Sequence, residues 1–274
     1  MTEQFERILI TGAAGALGSR LREGLRPMAR RLRLHDREDM GAAAAHEEIV
    51  RGDLADFASV LEATRDVDAI VHFGGAPMER PWQTVLDSSI RGSYHIYEGA
   101  RQNKVPRVVY ASSIHAVGYY AVEDSVDTRA MHRPDSLYGL SKCFTEDLAR
   151  LYYDKFGVES VCLRICSCFE APEGRRHMWS FLTYADMIHL VRCALRVPRA
   201  GYTIIYGNSD NEENAVSNRY ARHIGFRPRE SVEPHRARVF ETTDAPDAHA
   251  TDIRHVGGFL CALGHPDDSD DWRV

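Results

Sequence analysis

The strongest constraint on the fold is one short stretch near the start, Thr11-Gly12-Ala13-Ala14-Gly15-Ala16-Leu17-Gly18. It follows the apolar run Ile8-Leu9-Ile10 and leads into a segment with helical spacing over 16–25. Glycine at every third position suits a tight strand–turn–helix step. Gly12 permits the turn, Gly15 keeps the main chain bare, and Gly18 lets the helix lie close on the strand. The start of such a helix presents unpaired N–H groups and the positive end of the helix dipole, a natural seat for phosphate. The stretch therefore predicts a dinucleotide-binding unit.

The chain then repeats the strand–helix step. Hydrophobic pattern and turn residues predict strands over 7–11, 31–35, 48–52, 69–73, 107–111 and 159–165. Helices are predicted over 16–25, 56–64, 82–102 and 137–156. Ile8-Leu9-Ile10, Ala69-Ile70-Val71 and Val108-Val109-Tyr110 are continuous apolar runs, as strands covered on both faces require. The alternation predicts an α/β, doubly wound parallel sheet of the Rossmann type. Past about residue 166 the pattern loosens into a Pro/Gly/charge-rich loop over 170–176 and a helix over 185–195. A strand over 202–206, one helix ending near Ile224-Gly225 and an acidic tail (Asp267, Asp268, Asp270, Asp271) complete it. The expected division is a cofactor-binding domain over 1–166 and a small C-terminal substrate-binding portion over 167–274. The two are interleaved through the last sheet strand in a single unit.

Composition removes other classes. Thirty-four Lys and Arg against 40 Asp and Glu give a net charge of −6 over 274 residues, the wrong sign for a nucleic-acid footprint. No apolar run approaches membrane-spanning length. The polar start through Arg7 has no signal-peptide character. The six cysteines are too sparse for a disulfide framework. These features predict a reduced, cytoplasmic protein with no membrane and no nucleic-acid partner. Cys162, Cys166 and Cys168 share strand parity and read as packing thiols on one face. No zinc-like spacing occurs, and no metal is expected.

Asp36 closes the second strand, 18 residues after Gly18. A carboxylate there binds ribose hydroxyls and repels a 2′-phosphate, which favours NAD. Asp53-Leu54 follows the third strand, where Asp53 either accepts from the adenine amino group or caps the next helix. His72-Phe73-Gly74-Gly75-Ala76 ends the fourth strand, where ligands of such sheets collect. His35 and His72 also read as structural residues. These elements contribute Gly12, Gly15, Ala16, Leu17, Gly18, Asp36, Asp53, Leu54, His72, Phe73, Gly74, Gly75 and Ala76 to the cofactor set, which Tyr138 and Lys142 of a later helix join.

Tyr138 and Lys142 are four apart on a predicted helix and share a face. A free phenol has a pKa of about 10, and a neighbouring ammonium favours the phenolate. Tyr138 could then take a hydroxyl proton while hydride leaves for a cofactor, and Lys142 could also bind the nicotinamide ribose. Ser112-Ser113 closes the fifth strand, where a hydroxyl can hold the reacting oxygen.

A strand-end Ser, followed 25 residues after Ser113 by Tyr-x-x-x-Lys, is the order found in short-chain dehydrogenases/reductases. Residues 6–230 resemble their extended branch. Within it, three segments are similar to bacterial uronate dehydrogenases. One is Arg133-Pro134-Asp135-Ser136-Leu137-Tyr138-Gly139-Leu140-Ser141-Lys142-Cys143-Phe144. The others are Ala111-Ser112-Ser113-Ile114-His115 and Arg164-Ile165-Cys166-Ser167-Cys168. The resemblance implies oxidation of D-galacturonate or D-glucuronate at C1 by NAD, giving the aldarolactone and NADH. It implies Tyr138 as general base, Lys142 as activator, and Ser113, Ile114 and His115 against the sugar. Ser167 would lie near the nicotinamide, and Arg176 on the substrate carboxylate, which an Arg fork can bind bidentately. Its neighbour Arg175 could serve instead. Ile114 stands where related members often carry a polar residue, and Pro77 and Ser89 where Ser and Asn are usual. The relatives further suggest a homo-oligomer paired through helices 82–102 and 137–156. A nucleotide-sugar epimerase or dehydratase, or a non-catalytic NAD sensor, remains an alternative reading.

Overall fold

The structure is a computed structural model that describes residues 4–268. Seven strands form one sheet: β1 (Phe5–Thr11), β2 (Ala29–Asp36), β3 (Glu47–Arg51), β4 (Ala69–His72), β5 (Arg107–Ser113), β6 (Glu159–Ile165) and β7 (Tyr202–Gly207). Their order is β7-β6-β5-β4-β1-β2-β3, and every pairing is parallel. Strand order reverses between β1 and β4. That reversal opens a crevice at the carboxyl ends of the two strands.

Alternate residues of the strands feed two apolar layers. Ile8, Ile10, Leu32, Leu34 and Val71 pack with Leu21 and Leu25 of α1 (Ala16–Leu25) and Leu190 and Val191 of α5 (Tyr184–Arg196). Leu9, Ile70, Val108 and Tyr110 face the other way. They meet α2 (Phe57–Ala63), α3 (Gly92–Gln102) and α4 (Leu137–Phe156) through Val60, Ile96, Tyr97, Leu148 and Tyr152. Truncating a buried leucine in either layer to alanine costs about 2–5 kcal/mol. The sheet is the doubly wound one expected, and α1, α4 and β6 fall on their predicted bounds. α5 and β7 lie beyond residue 166 but complete the sheet and its cover.

The structure corrects several expectations. The long helix over 82–102 is interrupted. Trp82–Val85 leads into a π turn, Leu86–Arg91, before α3 begins. The widened turn brings Ser89 Oγ to 3.0 Å from the Ala76 N–H, where it accepts a hydrogen bond. The helix expected to end near Ile224-Gly225 is only a 3₁₀ turn, Arg222–Ile224. A helix not expected, α6, spans Arg236–Thr242. The three cysteines do not share a face, because the strand stops at Ile165 and parity is lost beyond it. Cys162 joins one layer, Cys168 the other, and Cys166 a third apolar cluster. Asp270 and Asp271 of the acidic tail lie outside the described residues. No helix among the described residues is long and apolar enough to cross a membrane.

Candidate active site

The crevice is lined first by main chain. Gly12 has φ 71°, and a Cβ there would lie 2.6 Å from the Phe73 carbonyl, so only glycine fits. No side chain caps α1 at Gly15, so the first N–H groups of the helix are left for an anion. Asp36 is fixed beside this loop. Its two carboxylate oxygens accept the N–H groups of Ala14 at 2.9 Å and Glu38 at 3.0 Å. The open choice at Asp53 narrows, since Asp56 caps α2 by accepting from Ala58 N–H at 3.0 Å. Asp53 instead accepts from Ala55 N–H at 2.9 Å and is exposed. Leu54 is buried against Gly74 and Gly92. His72 has the structural setting that its sequence position allowed. Its ring nitrogens are taken up by Thr11 Oγ1 at 2.7 Å and Ser93 Oγ at 3.2 Å, and burial lowers its pKa to about 3. The ring is therefore neutral and internal, and only the main chain at this strand end borders the crevice. Ala16, Leu17, Phe73, Gly75 and Ala76 line the same end of the sheet.

The catalytic candidates converge where β5 ends against the start of α4. Ser136 caps α4, accepting from Gly139 N–H at 2.9 Å. Glu79, buried and unforeseen from sequence, accepts the N–H groups of Leu137 at 3.1 Å and Tyr138 at 2.7 Å. A carboxylate at a helix N-terminus is favoured by the dipole and clamps the turn that carries Tyr138. Ser113 Oγ accepts the His115 N–H at 3.3 Å, and its hydroxyl acts to lower the Tyr138 phenol. Lys142 Nζ donates to the Ala111 carbonyl at 2.9 Å and lies 5.0 Å from the centre of the Tyr138 ring. Burial pushes the Tyr138 phenol up to about 12, with Ser113 opposing. Burial likewise lowers Lys142 to about 8, against the pull of Glu146. The ammonium thus sits over the ring rather than at the phenol oxygen, and in the free protein desolvation outweighs the lowering expected from Lys142.

Ser112 has a different fate from Ser113. Its hydroxyl donates to Glu146 at 2.5 Å, in a network with the buried Arg164 at 2.8 and 3.0 Å and the half-buried His132 at 2.8 Å. Burial alone would raise the Glu146 carboxyl, but His132 and Arg164 outweigh it and hold it down at about 2. Glu146 lies eight residues after Tyr138 on the same helix. That charged residue on a buried face is the signal by which sequence could have found it.

In the loop after β6, Arg176 Nη1 donates to Ser167 Oγ at 3.0 Å, and Nη2 donates to the Val256 carbonyl. Its Nε is buried without a hydrogen-bond partner, and no carboxylate pairs with it among the described residues. Burial weighs against its charge, while Cys166 and Asp135 act to support it. Arg175 is engaged elsewhere, 4.5 Å over the Phe240 ring and bonded to Thr243. Of the two, Arg176 is the one whose buried Nε is left without a partner. His115 stands edge-on to Tyr138, ring centres 5.6 Å apart. Ile114 packs into an apolar cluster with Val117, Val126, Trp179, Tyr206 and Val256, filling space behind His115. Among the described residues no group of three or more His, Cys, Asp or Glu could hold a metal.

Comparison with known proteins agrees with this geometry. Residues 8–189 match the NAD dependent epimerase/dehydratase family. The chain is 44% identical to a uronate dehydrogenase of Pseudomonas putida over 264 residues, covering 96% of this chain and 98% of that protein. It is 40% identical to one from Agrobacterium fabrum, covering 92% and 96%. A crystal structure of glucuronic acid dehydrogenase from Chromohalobacter salexigens superposes with a TM-score of 0.95 at 44% identity, over 97% of this chain and all of that one. A uronate dehydrogenase from Agrobacterium tumefaciens, a tyrosine-to-alanine variant complexed with NAD, superposes with a TM-score of 0.92 at 39% identity. It covers 94% of this chain and 98% of that one.

Proposed function

The chain belongs to the uronate dehydrogenases of the NAD dependent epimerase/dehydratase family, and from that premise we propose how its own residues oxidise a hexuronate at C1. When bound, NAD supplies the hydride acceptor and a positive nicotinamide ring. The main chain of Gly12, Gly15, Ala16, Leu17 and Gly18 meets the pyrophosphate, and Asp36 the adenosine ribose. Asp53 and Leu54 border the adenine. The strand end from His72 to Ala76, with Lys142 and Ser167, lies along the nicotinamide half. The uncapped start of α1 beside a fixed carboxylate supports this placement.

The observation that carries the substrate reading is Arg176, a guanidinium with a buried, unpaired Nε, linked through the adjacent Gly257 and Gly258 to Asp135 and so to His115, which stands against Tyr138. A buried guanidinium without a counter-ion calls for a carboxylate, and a hexuronate brings one. With that carboxylate held, Ser113 positions the C1 hydroxyl. Tyr138 takes its proton as the C1 hydrogen leaves with its electron pair, and the lactone carbonyl forms. Positive charge beside the phenol counters the burial that pushes it to about 12. His115 contacts a ring hydroxyl.

The same reading divides the chain at residue 166 into a cofactor-binding part and a substrate-binding portion. It sets the enzyme in the cytoplasm, in keeping with six free thiols. It pairs copies through α3 and α4, where Tyr94, Leu140, Phe144 and Leu151 are exposed.

The test follows NADH formation with galacturonate, glucuronate, a UDP-hexose and a neutral hexose, with particle size measured on the same preparation. Turnover is expected with the hexuronates. No NADH with either one overturns the reading.

A further inference from the structure

Resting on the dehydrogenase reading above, we infer that Asp135 is a positioning residue. It locks His115 so that the outer ring nitrogen accepts a hydroxyl of the sugar, and the pair thereby reads the sugar's hydroxyl pattern. Asp135 precedes α4, and its side chain has no exposed surface. One carboxylate oxygen accepts Nδ1–H of His115 at 2.7 Å, and the other accepts the Ser136 hydroxyl at 2.6 Å. The first also lies 3.8 Å from Cys261 Sγ. No Lys or Arg pairs with Asp135 among the described residues, although a buried carboxylate is unfavourable without compensation.

Space for Asp135 is made deliberately from two directions. A Cβ at Gly118, just after β5, would lie 1.9 Å from the oxygen that holds His115. One at Gly257, where the chain returns near its end, would lie 1.8 Å from it. The returning chain is tied in place, with Val256 and Gly257 donating their N–H groups to the carbonyls of Tyr120 at 3.0 Å and Gly118 at 2.9 Å. The next residue, Gly258, abuts Arg176, where a Cβ would lie 2.6 Å from the unpaired Nε. One glycine pair therefore seats both Arg176 and the support of His115.

The chemistry follows from the donor and acceptor roles. An ionised carboxylate only accepts, so it selects the imidazole tautomer with hydrogen on Nδ1 and a lone pair on Nε2. That Nε2 has no protein partner among the described residues. Arg176 takes the substrate's carboxylate and Tyr138 the C1 hydroxyl, so an acceptor between them takes a ring hydroxyl. A site built to bond a hydroxyl rejects an analogue that lacks it, because a polar group is then left unpaired.

The experiment compares kcat/KM for a hexuronate and its ring-deoxy analogues in the wild type, Asp135→Asn, Asp135→Ala and His115→Ala. The wild type should reject one deoxy analogue strongly. Asp135→Ala should lower kcat/KM for the full hexuronate about 100-fold and leave that deoxy analogue nearly unchanged, so discrimination collapses. Asp135→Asn keeps an acceptor for Nδ1–H and should retain most of it. Should Asp135→Ala fail to fold, Asp135→Ser, whose hydroxyl is too short to reach Nδ1–H, is read in its place against Asp135→Asn, and the same collapse of discrimination is expected. An equal fall on both substrates, or a wild type indifferent to every deoxy analogue, overturns the inference. A wild type inactive on all hexuronates instead overturns the dehydrogenase reading.

Discussion

At the crevice beside α1, the groups offered to a ligand are main-chain N–H groups and one carboxylate, all drawn from residues 12–36. At the proposed sugar site they are side chains of Ser113, His115, Tyr138 and Arg176, brought from separate segments and braced by the returning chain at 256–258. The difference teaches where tolerance lies. A backbone cradle depends on a local turn and survives any side-chain change that keeps the turn. A side-chain site depends on supports distant in sequence, such as Glu79 under Tyr138 and Asp135 under His115.

Three experiments would break or sharpen that contrast. The largest effect is expected at the chemistry itself. Tyr138→Phe should lower kcat by about 10³-fold while NAD affinity and melting temperature stay close to wild type. Loss of NAD binding would mean that the two regions are not separable. Next comes the support that neither ligand touches. Glu146→Gln leaves Arg164 buried without its counter-charge and should destabilise the fold by about 3–5 kcal/mol, read from chemical denaturation. The pH dependence has a definite sign. The Glu146 carboxyl is held down at about 2, below its ordinary 4.5, so its stabilisation is present above 4.5 and is lost as pH falls toward 2. The variant should lack that acid-sensitive component, and an unchanged acid profile would refute the assignment. The smallest effect is expected at Arg176→Ala, which should raise KM for hexuronate about 10- to 100-fold, the worth of a charged hydrogen bond. KM for NAD should not move. A shift in it would show that Arg176 serves the cofactor side as well.

Much of the cofactor half was legible because its signals are local. The glycine loop, α1, Asp36 and the Tyr138–Lys142 spacing are each set within one turn of helix or one strand end, and all stand where the pattern put them. The direction of the His72 ring was not legible, because a strand-end position says nothing about which way a ring turns. Its partners Thr11 and Ser93 come from other elements. Cys162, Cys166 and Cys168 were misread because period-two parity lasts only as long as the strand. Glu79 and Asp135 had no local signal, since each acts on a segment far away or across a turn.

By itself the sequence determined the parallel sheet, the dinucleotide loop and the Tyr–Lys pair, because periodicity and glycine placement act over a few residues. It also favoured NAD through Asp36. Only the tertiary structure separates the surroundings of Ser112 from those of Ser113, and of Arg175 from those of Arg176. Each difference depends on which neighbour is already satisfied. Ser112 is consumed by Glu146 and Arg175 turns to Thr243, while Ser113 acts on the Tyr138 phenol and Arg176 keeps a buried, unpaired Nε. Hydrogen-bond satisfaction is a property of the packed molecule, and adjacent residues with the same chemistry can be told apart only there.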